Sequence, residues 1–174
     1  MTRKSDRANR IASLEKLVTG LPVSQYVMNI TVVYEESQTH KWAGEIYQTM
    51  ETMLGAEAVR GTWWKLADFQ QPGVLAGAVS KAMRSDMIIV SVRGSEGLPL
   101  PFYYWVNSWL PHNAGGIGAL VALLGTPIPR NSESGRLRKF LRTVARRGRM
   151  DFLVAERPFE VHSSRTALRA ELGM

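Results

Sequence analysis

The sequence contains no cysteine. Disulfides, thiolate nucleophiles and cysteine-ligated zinc are therefore excluded as structural or catalytic devices. No run approaches the ~18 consecutive apolar residues of a membrane-spanning helix. Met1–Arg10 is basic and polar and lacks an apolar core, so no secretory signal is expected. These absences lead to the expectation of a cytoplasmic protein with no membrane contact. The three histidines, His40, His112 and His162, are far apart and have no second ligand at metal-binding spacing. No metal site is expected. The G-x-S-x-G elbow, the phosphate-binding G-x-x-x-x-G-K-[ST] loop and the G-x-G-x-x-G turn are all missing. There is no internal repeat and no low-complexity stretch.

What is present is an ordinary globular composition, 45% hydrophobic and 21% charged over 174 residues. That length suits a single domain with its own core. The net charge of +7 is unevenly placed. Residues 130–149 hold eight bases against Glu133, and residues 1–20 hold five bases against two acids, so the remainder is acidic by three charges.

The chain is organised around Asp86–Leu110. Met87–Val90 is an unbroken apolar run, which reads as a strand buried on both faces, as in parallel sheets covered by helices. Gly94 and Gly97 turn the chain away. Pro99 and Pro101 then suit a helix start, where proline forfeits no hydrogen bond. Phe102, Trp105, Val106, Trp109 and Leu110 recur at helical spacing. On either side the same alternation continues. Strands are expected at Val27–Tyr34, Val59–Leu66 (an edge), Ile117–Leu124 and Met150–Val154. Helices are expected at His40–Leu54, from Pro72 to about Met83, and at Gly135–Arg147, with Ser132 or Ser134 as its cap. Residues 1–22 form a basic tail and an amphipathic helix, 23–160 the α/β domain, and 161–174 a tail or short helix. The amphipathic segment Asp6–Val18 is a candidate to cover the sheet face that a short last helix leaves open.

Strand–helix alternation predicts a three-layer α/β/α domain with a doubly wound, five-stranded parallel sheet, and the common order for it is 2-1-3-4-5. Ligands in such sheets sit beyond the carboxyl ends of the strands, where the winding direction reverses. That places Glu35, Glu36, Ser37, Thr39, Ser91, Arg93, Ser95 and Thr126 at the candidate ligand site, in the loops Glu35–Lys41, Ser91–Pro101 and Gly125–Asn131.

On these loops the chain resembles the flavodoxin-like flavin reductases and flavodoxins. Ser37 and Thr39 lie in the segment after the first strand, Gly97-Leu98-Pro99 precedes a Trp-bearing helix, and Gly125-Thr126 ends the fourth strand. The resemblance implies a flavodoxin-like fold and FMN as cofactor. Glu35 and Glu36, however, stand where the flavin phosphate would sit, and His40-Lys41-Trp42 replaces small residues. The chain also resembles bacterial response-regulator receiver domains, through the acidic pair Glu35-Glu36 and the hydroxyl of Thr126. Ser91-Val92-Arg93 stands in place of their phosphoacceptor aspartate and Glu156-Arg157 in place of their lysine, so no aspartyl-phosphate can form.

With no complete catalytic set, the sequence reads as a non-catalytic, regulatory flavodoxin- or receiver-like domain without a cofactor. It would bind a protein or a small acidic ligand near Arg93. An FMN-dependent oxidoreductase is the alternative. Nucleic-acid contact through Arg136, Arg138, Lys139, Arg142 and Arg146 is a further one, set behind a solvated basic face. The aromatic run Phe102–Trp109 cannot all face one way and is a candidate homodimer contact. Trp63-Trp64 poses the same question, since adjacent strand residues point to opposite faces.

Overall fold

The computed structural model describes residues 26–93, 97–113, 118–127 and 133–159. The expected N-terminal helix Asp6–Val18, the C-terminal segment Ser164–Leu172, Ser95 and the proposed cap Ser132 lie outside the described residues. In chain order the elements are β1 (Met28–Tyr34), α1 (Ser37–Leu54), β2 (Val59–Lys65), α2 (Pro72–Met83), β3 (Met87–Val92), α3 (Leu100–Trp109), β4 (Ala119–Pro127), α4 (Glu133–Arg147) and β5 (Asp151–Phe159).

All five strands are parallel and lie in the order β2-β1-β3-β4-β5. This is the doubly wound, flavodoxin-like arrangement. β3 is central, and all six of its residues are buried, as a continuous apolar run requires. β2 is an edge strand, as its imperfect alternation suggested.

Right-handed crossovers dictate which face each helix covers. The chain moves one way from β1 to β2 and the other way for every later strand. Among the described helices, α1 therefore lies alone on one face, and α2, α3 and α4 share the other. The core is split accordingly. Trp42 and Ala43 of α1 pack on Ile30, Val32, Ile89, Val121 and Leu123. Ala78, Ala82, Phe102, Trp105, Trp109, Leu141 and Val144 pack on Val33, Ile88, Val90, Leu120 and Leu124.

Three boundaries differ from the sequence expectation by three residues or more. α1 begins at Ser37 and not at His40, because the Thr39 hydroxyl closes its first turn. β4 continues through Gly125 and Thr126 to Pro127, which were expected to end it. β5 runs on past Val154 to Phe159. The last two differences have one cause: each strand supplies the other's partner, with Gly125 opposite Arg157 and Thr126 opposite Pro158. Charged residues are tolerated in β5 because it is an edge, and most of it is exposed.

Candidate functional site

Where β1 and β3 lie side by side, their chains leave for opposite faces of the sheet, and a crevice would open at their carboxyl ends. In this protein that place is spanned by side chains. β1 ends at Tyr34, and Glu36 is the N-cap residue of α1. The Thr39 hydroxyl accepts the backbone N–H of Glu36 at 2.8 Å and that of Glu35 at 3.0 Å, and donates to the Glu36 carbonyl at 2.9 Å. Ser91, at the end of β3, donates its hydroxyl to the Thr39 carbonyl at 2.8 Å. Thr39 and Ser91 are both fully buried.

Two residues further on, the Arg93 backbone N–H donates to the Glu35 carboxylate at 2.8 Å. The Arg93 guanidinium forms an ion pair with Glu36 and donates to the Gln38 side-chain oxygen at 3.2 Å. A fork of five donors suits a carboxylate partner of this kind.

The structure thus brings together Glu35, Glu36, Thr39, Ser91 and Arg93. Ser37 sits on the rim as the exposed first residue of α1 and not in a loop. Thr126 is buried near the end of β4. Gly125, beside it, lies under the Phe159 ring, and a Cβ there would also stand 3.2 Å from the Arg93 Cα. Phe159 in turn meets the edge of Trp42, with ring centroids 5.7 Å apart. The Arg157 guanidinium covers Trp42 at 4.8 Å and bonds the Glu45 carboxylate at 2.8 Å. This hydrogen bond holds the Glu45 carboxyl below its usual range, against a smaller opposing effect of desolvation. Gly125-Thr126 is therefore occupied with strand packing.

The donor set does not suit a flavin phosphate. An anion at a helix start needs free backbone N–H groups, and here the Thr39 hydroxyl takes those of Glu35 and Glu36 just ahead of the first turn. The Glu35 and Glu36 carboxylates flank the same place and would repel it. Arg93, the cation placed to offset them, already faces Glu36.

Elsewhere, α4 turns Leu137, Leu141, Val144 and Ala145 into the core and leaves Arg136, Lys139, Arg142, Arg146 and Arg147 exposed. Arg138 bonds the Glu156 carboxylate at 3.4 Å, and Arg142 lies 5.9 Å from the centre of the Phe152 ring. Of the aromatic run on α3, Phe102, Trp105 and Trp109 are core residues, and Tyr103 packs against Phe140 of α4. What a second copy could meet on this helix is Leu100 and Tyr104, each more than half exposed. Trp63 and Trp64 do point to opposite faces. Trp64 lies over Gly77 of α2, while Trp63 joins Tyr34, His40 and Tyr47 beside α1. That ring cluster was not visible in the sequence beyond the Trp-Trp pair, because its members come from β1, α1 and β2.

Among the described residues no group of three acidic or histidine side chains could hold a metal ion. No helix among them is long and apolar enough to cross a membrane.

No protein-family profile matches the chain, and no curated protein matches it. Several solved structures are similar to it. One is the flavodoxin of Streptococcus pneumonia TIGR4, at a TM-score of 0.47 and 12% identity, covering 78% of this chain and 88% of that one. Another is the Trp repressor binding protein of Bacillus subtilis, at a TM-score of 0.47 and 13% identity, covering 81% and 94%.

Proposed function

We infer that this flavodoxin-like domain is non-catalytic and acts by binding, with a protein as the partner met at the carboxyl edge of its sheet. The observation that carries this reading is the tie across the winding reversal: Arg93 to Glu35, Glu36 and Gln38, and Ser91 to Thr39. Among the described residues, the Thr39 and Ser91 hydroxyls and the Arg93 guanidinium, which a small ligand would otherwise use, already have partners within the chain. A small acidic ligand near Arg93 would have to displace Glu36 first, and would then sit beside two carboxylates. A protein surface needs no such displacement. It can meet the rim formed by Ser37, Gln38, His40 and Lys41, all exposed on the first turn of α1.

The test is a titration of FMN into the purified chain, followed by absorbance near ~450 nm, a property of the cofactor itself, and by calorimetry. The reading expects no saturable binding and no flavin carried through purification. Stoichiometric flavin, retained after gel filtration, would overturn it in favour of an FMN-dependent oxidoreductase. A charge swap on the rim, Lys41→Glu, should leave folding unchanged and weaken any protein partner recovered by crosslinking to that turn.

A further inference from the structure

We propose that α4 is a docking surface for the phosphodiester backbone of a nucleic-acid duplex. With 3.6 residues per turn, Lys139, Arg142 and Arg146 fall on one outward ridge. Arg138 flanks that ridge on the β5 side, where it meets Glu156. Arg136 and Arg147 flank it on the other side, with Phe140, which packs on Tyr103 of α3. All of the ridge is exposed. Among the described residues the one carboxylate paired to this helix is Glu156.

Such a face is not a neutral choice for a helix. Like charges three and four residues apart work against it, and they recur here at Arg136–Lys139, Lys139–Arg142, Arg138–Arg142 and Arg142–Arg146. Solubility would be served as well by mixed signs. A ridge of one sign, mostly arginine, matches a polyanion that supplies many phosphates at once.

The chemistry of the partner follows from what lies around the ridge. A membrane-surface helix buries its apolar side in lipid, but the apolar side of α4 is already in the protein core. Single strands are held by aromatic side chains on which bases stack. The ridge itself carries none, and Tyr103 and Phe140 are spent on each other. A rigid cationic helix lying along a groove edge contacts phosphates and reads no sequence.

The experiment uses the full chain and a fluorescein-labelled duplex of about 20 base pairs, as DNA and as RNA, read by fluorescence anisotropy. About four phosphate contacts predict an affinity falling about 100-fold between roughly 50 and 200 mM salt, whatever the base sequence. Arg142→Gln/Arg146→Gln should reduce the slope of log K against log salt by about 2, whereas Arg142→Lys/Arg146→Lys should preserve it. Circular dichroism checks that each variant keeps its helix, and glutamine at exposed helical positions is a benign replacement. Arg3→Gln/Lys4→Gln, in the basic N-terminal segment, should leave the slope within error. The proposal is overturned if no duplex binds at low salt. It is equally overturned if the tail variant and not the helix variant removes the slope, or if the chain binds phosphatidylserine vesicles or an acidic peptide but neither duplex.

Discussion

The packing around Gly125 leaves no room for a side chain, and Gly125→Ala measures this. The new Cβ would fall on the Phe159 ring and 3.2 Å from the Arg93 Cα. The ring is the element able to move, since Phe159 is half-buried at the end of an edge strand. Moving it gives up the edge contact with Trp42 at 5.7 Å, a pair that contributes about 0.5–1.5 kcal/mol. Forcing an extra methyl into a filled site costs a further 1–3 kcal/mol or so. Against this, alanine is favoured over glycine inside a strand by roughly 0.5–1 kcal/mol. The midpoints leave a loss of about 2 kcal/mol, or a fall of about 1 M in the urea midpoint at an unchanged slope of about 2 kcal/mol/M. In a Phe159→Ala background the ring is gone and only the Arg93 contact remains, so Gly125→Ala should be close to neutral. The double-mutant cycle should therefore show a coupling of about 2 kcal/mol. If the two substitutions prove additive to within about 0.5 kcal/mol, Phe159 is not what excludes a side chain at position 125.

Five other substitutions address the interior and the pH response. The indole N–H groups of Trp105 and Trp109 are buried without a hydrogen-bond partner among the described residues, a cost of about 1–3 kcal/mol each. Trp109→Phe removes one orphan donor along with some volume and should stay within about 1 kcal/mol of the parent, whereas Trp109→Ala should cost about 3–5 kcal/mol. A phenylalanine variant as unstable as the alanine one in thermal unfolding would mean that the donor is satisfied. The Thr31 and Ser85 hydroxyls meet at 2.5 Å, and Ser85 also donates to the Lys81 carbonyl at 2.7 Å. Thr31→Val should cost about 1 kcal/mol by leaving Ser85 short of a donor, and adding Ser85→Ala should cost less than the sum of the two single changes, as denaturant titration can measure. Burial first, and then the Asp86 carboxylate, raise the pKa of Tyr26 above its usual value, and burial also raises that of Tyr47. The neutral phenol is the form favoured by folding. Its contribution is fully present below pH ~10 and is lost as pH rises through the higher folded value. Tyr26→Phe should therefore flatten part of the alkaline limb of a stability–pH profile, and an unchanged limb would refute the assignment.

Features carried by local pattern were legible in the sequence. Met87–Val90 announces a strand buried on both faces, Pro72 and Pro99 mark the starts of α2 and α3 almost to the residue, and the alternation of strands and helices points to the sheet order. Features that depend on a distant partner were not legible. Nothing near Gly125 says that Phe159, far along the chain, lies over it, so a strand residue reads as a stop. Glu156-Arg157 looks like a loop unless β4 is known to extend alongside. At the candidate site the sequence supplied the participants, Glu35, Glu36, Thr39, Ser91 and Arg93, but not their engagement with one another. A list of polar residues at strand ends reads the same whether they face a ligand or each other. What could have been read was the signature Glu36-x-x-Thr39, an N-cap and its reciprocal partner at the spacing of a capping box with the two residue types exchanged. It places the helix start at Ser37 and spends the Thr39 hydroxyl on the backbone.

The same topology that closes the site also separates it from α4. Strands in a sheet are about 4.8 Å apart and a helix layer packs about 10 Å above it. The β1–β3 boundary and β5 are therefore roughly 12 Å apart in the sheet, and α4 lies on the face opposite α1. Charges so placed are separated by more than the Debye length of about 8 Å at physiological salt. Neutralising Arg142 and Arg146 should thus leave the Arg93–Glu36 tie as it is, and displacing Glu36 should not change how α4 meets phosphates. A chain that bound duplexes would still have to be tested for flavin, and one that bound flavin could still carry a cationic ridge with a purpose of its own. Right-handed winding makes the two questions independent, because it sends α1 to one face of the sheet and α4 to the far edge of the other.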